Sequence, residues 1–321
     1  MKTVVLLAAL AVAPVLHAQT QWKLATGYRA ESFHTRNVVQ FAQDVERASA
    51  GALRIEVLAN NTLFKLGDIP QAVRDGKAPA GETIMTSLVR DMPIAGADAV
   101  PFVVRTYADA RRMWDLQRPL IERHLARKGL KALYAVPWPP QGLFSIAPVR
   151  SAADFKGTRM RTYNPATVRI AEMLGAAPVD VPMVEVNTAL SAGRLDSMIT
   201  SALTGVENQV WGQIRHYYGI NAWFPKNIVF VNQQAFDALP PPVREAVTKA
   251  AQTAEARGWA MSESIAEESV GELQRKGIKV DRAPAELEAE LKRLGERFSR
   301  EWVQSVGNEA NKIFIPYYFQ R

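Results

Sequence analysis

The chain has 321 residues, no cysteine, and a net charge of +7 from 39 Lys and Arg against 32 Asp and Glu. Without cysteine there is no thiol nucleophile, no thiolate metal site and no disulfide framework. The basic residues are interleaved with acidic ones, as in GELQRKGIKVDR, which makes a solvated surface rather than the clustered stripe that binds nucleic acid.

In chain order, MKTVVLLAALAVAPVLHA (1–18) carries one lysine, an apolar stretch and the small residue Ala18, and reads as a secretory signal peptide cleaved before Gln19. Its apolar stretch is short and broken by Pro14, so it does not read as a membrane span. The remaining length, about 300 residues, predicts two domains or one large one. QWKLATGY (21–28) predicts a strand, and Ser32 caps a helix whose Val38, Phe41, Ala42 and Val45 keep helical spacing. LRIEVLAN (53–60) alternates as a strand, LGDIPQAVRDGK (66–77) is a short helix, and ETIMTSL (82–88) is a third strand candidate. This β-α-β-α-β order marks an α/β domain with a largely parallel sheet.

Thr106 opens the next helix with a capping box closed by Asp109, and Pro119 kinks or divides it. GLKALYAV (129–136) is a strand that runs into the stiff VPWPPQG (136–142). A second β-α series follows, with strands in GLFSIAP, TRMRTY, APVDVP and DSMITS and helices in 165–175, VEVNTALSAG and TGVENQVWGQI. AWFPKN (222–227) reads as another crossover between domains, NIVFVNQQAF (227–236) as a strand, and about 240–276 as a very long helix with Gly258 and Gly271 as weak points. KGIKVDRA is a strand, and Leu287, Leu291, Leu294, Phe298 and Trp302 mark a last amphipathic helix. Two α/β domains without a floppy linker suggest a ligand cleft between them.

Beyond the leader, the histidines are His34, His124 and His216, none at metal-ligand spacing. The common nucleophile, phosphate-loop, dinucleotide and metalloprotease motifs are absent. A pair of catalytic carboxylates remains open, so an exported hydrolase is one rival reading. No cofactor and no metal are expected.

The sharper feature is TRMRTY, where Arg159 and Arg161 share one strand face. An arginine fork holds a carboxylate through two parallel hydrogen bonds. The plain alternative is pairing with local acids such as Asp154 or Glu172, and alternation does not say which arginine reaches a ligand. Neighbours add polar and aromatic partners: Tyr163 and Asn164 before a helix, Thr200 and Ser201 at a strand-to-helix turn, Trp138 and Gln141 in the stiff turn, and Lys226 after Trp223 and Phe224. Each has a structural reading as well: capping, a core tryptophan, a surface lysine.

These segments, in their order and spacing, resemble the extracytoplasmic solute-binding proteins of TRAP (tripartite ATP-independent periplasmic) transporters. FAQDVERASAGALRIEVLANNTLFKLGDIPQAVRDGK resembles the family's helix, turn, strand and second helix; FKGTRMR matches its K-G-x-[KR]-x-R element; VEVNTALSAGRLDS resembles its T-A-L element. The resemblance implies an α/β, two-lobed periplasmic-binding-protein fold with a ligand cleft between the lobes and a long helix spanning both. It places lobe I at 19–138 plus 227–266 and lobe II at 139–226 plus 267–321. It gives the carboxylate-binding role to Arg161 and leaves Arg159 supporting. It also implies periplasmic localisation, a monomer, and TRAP membrane permease subunits as partners; a ligand-presenting sensor for a membrane receptor keeps the same fold.

The departures narrow the ligand. Gln141 stands where sialic-acid-type members carry a second arginine, and Ile199-Thr200 stands where cation-holding members carry Glu-Trp. One carboxylate clamp favours a small monocarboxylate. Trp138 and Phe64 accommodate an apolar tail, and Glu82 accepts from a ligand hydroxyl or N–H, or else is a surface carboxylate. A second carboxylate on Lys65 or Lys226 would make the ligand a dicarboxylate.

Overall fold

The computed structural model describes residues 19–319, and the expected leader, 1–18, lies outside them. The described strands are β1 (Thr20–Ala25), β2 (Leu53–Leu58), β3 (Ala80–Ile84), β4 (Leu130–Pro137), β5 (Gln141–Ser145) and β6 (Arg159–Thr162), followed by β7 (Ala177–Asp180), β8 (Ser197–Ser201), β9 (His216–Tyr218), β10 (Lys226–Asn232) and β11 (Lys279–Asp281). They form two sheets, β2-β1-β3-β10-β4 and β11-β9-β5-β8-β6-β7. Each sheet is packed with helices, and the two make the two lobes of a periplasmic-binding-protein fold.

Local sequence explains most of this. In β2, Leu53 and Ile55 are buried while Arg54 and Glu56 face out, the period of a half-buried strand. In β10 nearly every residue is buried, as expected of a central strand covered on both faces. The helix Phe33–Ala48 buries Val38, Phe41, Ala42 and Val45, and the Oγ1 of Thr106 caps Tyr107–Arg127 by accepting from Asp109 N. That helix runs through Pro119 undivided.

Several expectations change. β10 runs antiparallel to both β3 and β4, so the first sheet is mixed rather than largely parallel. The cause is topological: β10 returns from the second lobe, and its first residue, Lys226, pairs with Pro137, where β4 leaves. The third strand ends at Ile84, and Met85–Leu88 winds as a 3-10 helix. Helix 204–214 is in fact Ala202–Glu207 and a 3-10 turn, parted by Gln209 at φ 50. His216 lies on β9, and a further helix, Asn308–Phe319, closes the described chain.

The two extended crossings lie side by side. Trp138 N donates to Pro225 O (2.8 Å), Gln141 N to Trp223 O (3.0 Å), and Ala222 N to Gln141 O (2.8 Å). The third connection is the helix Pro241–Arg275, which packs on Phe33–Ala48 and β4 toward its start and on Ala202–Glu207 and β11 further on.

Gly258 is a contact point in that helix rather than a weak one. A Cβ there would sit 2.4 Å from Val136 Cγ2 and 2.7 Å from Asn37 Nδ2, whereas at Gly271 it would meet only the far end of a long side chain, Arg275 Nη1, at 3.3 Å. Gly258→Ala is therefore expected to cost about 1–3 kcal/mol by overpacking. Gly271→Ala should gain about 0.5–1 kcal/mol through helix propensity. Guanidinium unfolding of the two variants checks the opposite signs.

Candidate ligand-binding site

Arg161 sits on β6 between β7 and β8, facing Val179 and Met198 across the ladders. It is 3% exposed, yet no carboxylate among the described residues pairs with it. Its Nε donates to Val181 O (2.9 Å), and its Cζ lies 4.7 Å from the centre of the Tyr163 ring. Burial pushes the guanidinium down to about 10, partly opposed by Tyr163 and Asp180.

Two residues earlier the outcome is the reverse. Arg159 is exposed, and its fork closes on Asp196, Nε to Oδ2 at 2.8 Å and Nη2 to Oδ1 at 2.6 Å. The local acids considered from sequence are engaged elsewhere: Asp154 accepts from Arg150 N and Ser151 N, and Glu172 pairs with Arg169. The strand thus presents one satisfied arginine to solvent and one unsatisfied arginine to the interior.

A cavity of about 280 Å³ opens onto Arg161, between the lobes and against the crossings. That is just below the range of roughly 300–1,000 Å³ that holds drug-sized molecules, so it suits a small ligand. Of the residues expected from sequence, Trp138, Gln141, Arg161, Tyr163, Thr200 and Ser201 line it. Tyr163 Oη lies 3.4 Å from Gln141 Oε1, and Gln141 Nε2 donates to Pro139 O (2.8 Å). Ser201 Oγ caps the following turn, accepting from Thr204 N at 3.2 Å. Among the described residues, Arg161 is the only basic one in the lining and Asp180 the only acidic one.

The other four expected residues are not brought to this cavity. Phe64 is half-buried against the core, and Lys226 is fully buried on Asp98, Nζ to Oδ2 at 2.9 Å. Asn164 caps its own helix and donates from Nδ2 to Thr86 Oγ1 (3.2 Å). It belongs instead to a second cavity of about 250 Å³, whose cation, Arg169, already forks onto Glu301 at 2.9 Å through both nitrogens. That cavity offers no free charge.

Glu82 is neither a surface carboxylate nor a lining residue. It is 1% exposed, accepting from Thr26 Oγ1 (2.6 Å) and Asn227 Nδ2 (3.0 Å), with His34 Nδ1 3.6 Å away. Burial pushes its carboxyl up to about 6, against those two hydrogen bonds. A folded pKa above the ordinary 4.5 means that the folded state holds the proton more tightly. The associated stability is present at low pH and is lost as pH rises through about 6, some 2 kcal/mol in all. Glu82→Gln keeps the contact with Asn227 through its amide oxygen, reverses the one with Thr26 so that the amide nitrogen donates to the hydroxyl, and removes the titration. Urea unfolding at several pH values should show the variant gaining about 2 kcal/mol on the wild type between pH 4.5 and 7.5. A difference that is flat with pH would contradict this.

Sequence reasoning missed Tyr28, Ile84, Asp180 and Met183, which also line the cavity. Tyr28 and Asp180 follow or end strands, at the carboxyl edge where α/β sheets bind ligands, and that edge was the available signal. Among the described residues, no group of three His, Asp or Glu side chains is arranged to hold a metal ion.

Comparison with known proteins agrees with this architecture. The sequence model of the bacterial extracellular solute-binding protein family 7 matches residues 24–304. The 2,3-diketo-L-gulonate-binding periplasmic protein YiaO of Escherichia coli K12 is 25% identical over 307 residues, 91% of this chain and 87% of that protein. The crystal structure of DctP6 of Bordetella pertussis, an extracytoplasmic solute receptor binding pyroglutamic acid, superposes with a TM-score of 0.91 at 35% identity, covering 93% of this chain and 99% of the other. A marine metagenome TRAP solute-binding protein specific for pyroglutamate, in complex with the co-purified ligand, gives the same score and identity over 94% and 99%. With the family match spanning most of the chain and the fold shared at 35% identity, this protein belongs to bacterial extracellular solute-binding protein family 7, the solute-binding proteins of TRAP transporters.

Proposed function

We propose that this protein captures a small monocarboxylate in the periplasm and delivers it to the membrane permease subunits of a TRAP transporter, and that the acid is pyroglutamate or a close relative. The observation that carries this reading is the buried guanidinium of Arg161, in no ion pair among the described residues and facing a small cavity. A buried cation without a partner is costly, and a ligand carboxylate supplies the partner. The lining offers no second cation, and its one carboxylate, Asp180, would repel a second ligand acid. Tyr28, Trp138, Leu66, Ile84 and Pro225 suit a compact, largely apolar ring. The relatives that bind pyroglutamate stand at 35% identity and the diketogulonate binder at 25%, which favours the ring acid.

In this reading 1–18 exports the chain, the mature protein acts as a monomer, and no covalent chemistry takes place. Lobe I (19–138 plus 227–266) and lobe II (139–226 plus 267–321) move about the crossings, closing on the acid and expelling water. The closed form is what the permease recognises.

The test is calorimetric titration of denatured, refolded and therefore stripped protein with L-pyroglutamate, L-proline, succinate and D-glucuronate. Pyroglutamate should bind most tightly, and at about 100 times its Kd it should add roughly 2.7 kcal/mol of stability. Preference for succinate would overturn the monocarboxylate assignment. Silence with every acid would overturn the whole reading.

A further inference from the structure

We propose that Tyr28 is a specificity-determining hydrogen-bond acceptor, its own proton already committed, so that the cavity selects ring acids carrying an N–H over the same ring with oxygen in that place. This rests on the reading that an acid sits on Arg161.

Around Tyr28 the donors and acceptors have a fixed polarity. The Trp138 indole can only donate, and its Nε1 donates to Asn227 Oδ1 at 2.8 Å. That contact decides which way the Asn227 amide faces. Its nitrogen must then point to Glu82, where Nδ2 donates to Oε1 at 3.0 Å. Glu82 is held in turn by Thr26 Oγ1 at 2.6 Å. The Tyr28 hydroxyl lies 3.1 Å from the same Asn227 oxygen, which has no proton to give. Tyr28 must therefore donate there, and only its lone pairs, one of them shared with the Trp138 indole N–H, remain to be offered.

Tyr28 lines the cavity with Trp138 and Arg161 and is 4% exposed. Bulk water does not replace a missing ligand donor at such a depth, so an unmet or opposed lone pair is costly. Burial, with the Glu82 carboxylate nearby, raises the Tyr28 pKa well above its ordinary value, so the hydroxyl keeps the proton it donates. Of the other acceptors in the lining, Gln141 Oε1 faces the Tyr163 hydroxyl, Ser201 Oγ takes Thr204 N, the Thr200 hydroxyl can turn to donate or accept, and Asp180 is exposed and stays hydrated whichever ring is bound. The device therefore reads donor against acceptor on the ligand ring, while Arg161 reads the carboxylate.

The test compares L-pyroglutamate with its lactone analogue, the same ring with oxygen replacing the N–H, on stripped protein. Wild type should prefer the lactam by at least about 10-fold. Tyr28→Phe should weaken the lactam by about the same factor and leave the lactone unchanged or improved, so that the ratio approaches one. Equal binding of both acids by wild type would overturn the inference while leaving the acid-binding function standing. So would a ratio that survives Tyr28→Phe and collapses in Asp180→Asn, which would give the N–H to Asp180. Binding of neither acid by wild type would remove the proposed function and this inference with it.

Discussion

Arg161→Met is expected to abolish acid binding and, in the same preparation, to raise the melting temperature of the ligand-free protein. The two effects share one cause. Burial lowers the Arg161 guanidinium from 12.5 to about 10 because the folded interior solvates it less well than water does, and Tyr163 and Asp180 offset only part of this. That difference corresponds to as much as about 3 kcal/mol held against the unliganded fold. Methionine fills similar space without charge. It forfeits the bond from Nε to Val181 O, worth about 1 kcal/mol, so a net gain of roughly 1–2 kcal/mol remains. Differential scanning calorimetry of the stripped variant should show a rise of a few degrees.

The binding loss is larger. Two charge-assisted hydrogen bonds to a ligand carboxylate together contribute about 3–5 kcal/mol, so affinity should fall by roughly 100- to 1,000-fold or more. Arg161→Lys separates charge from geometry. It keeps the cation but replaces a planar fork by a point charge, and an intermediate loss of about 10- to 100-fold is expected. A methionine variant that still binds the acid, or one that melts well below wild type, would mean that Arg161 is structural.

How much of this was legible in the sequence depends on the distance over which each residue is decided. β2 and the helix Phe33–Ala48 are decided by their own periodicity, and both are where the pattern places them. Arg161 was singled out by strand alternation and by its place in FKGTRMR, but alternation could not separate it from Arg159. The separation comes from Asp196, 37 residues downstream, which takes the Arg159 fork. Tyr28 carried no local mark beyond its place just past the carboxyl end of the first strand. Its role depends on Asn227, 199 residues away, and on Trp138, which orients that amide. The direction of β10 is likewise set by the path through the second lobe, not by the residues of NIVFV. Glu82 and Lys226 both look like surface charges in a one-dimensional reading. Each is buried because the partners that make burial tolerable come from remote strands and loops.

Lys226 gives the second large expected effect, and it bears directly on whether the ligand has one carboxylate or two. Lys226 and Asp98 are both fully buried and meet at 2.9 Å, 128 residues apart in the chain. Burial pushes the Asp98 carboxyl up even with Lys226 beside it, so removing the lysine leaves an acid that the interior disfavours strongly. Lys226→Met is expected to cost about 3–5 kcal/mol in urea unfolding at neutral pH. Lys226→Met with Asp98→Leu should recover most of that, because a buried pair exchanged for apolar groups of similar size is often neutral or stabilising. The single variant should also be the more pH-sensitive of the two. A buried carboxyl with its folded pKa raised favours the fold below its unfolded pKa and loses that advantage as pH rises, so the deficit should be smaller at pH 5 than at pH 8. Because the pair lies outside the cavity lining, the folded fraction of either variant should bind pyroglutamate within about a factor of two of wild type. A large loss of affinity in Lys226→Met, with stability accounted for, would place its ammonium on the ligand after all and make a second carboxylate the natural occupant beside it.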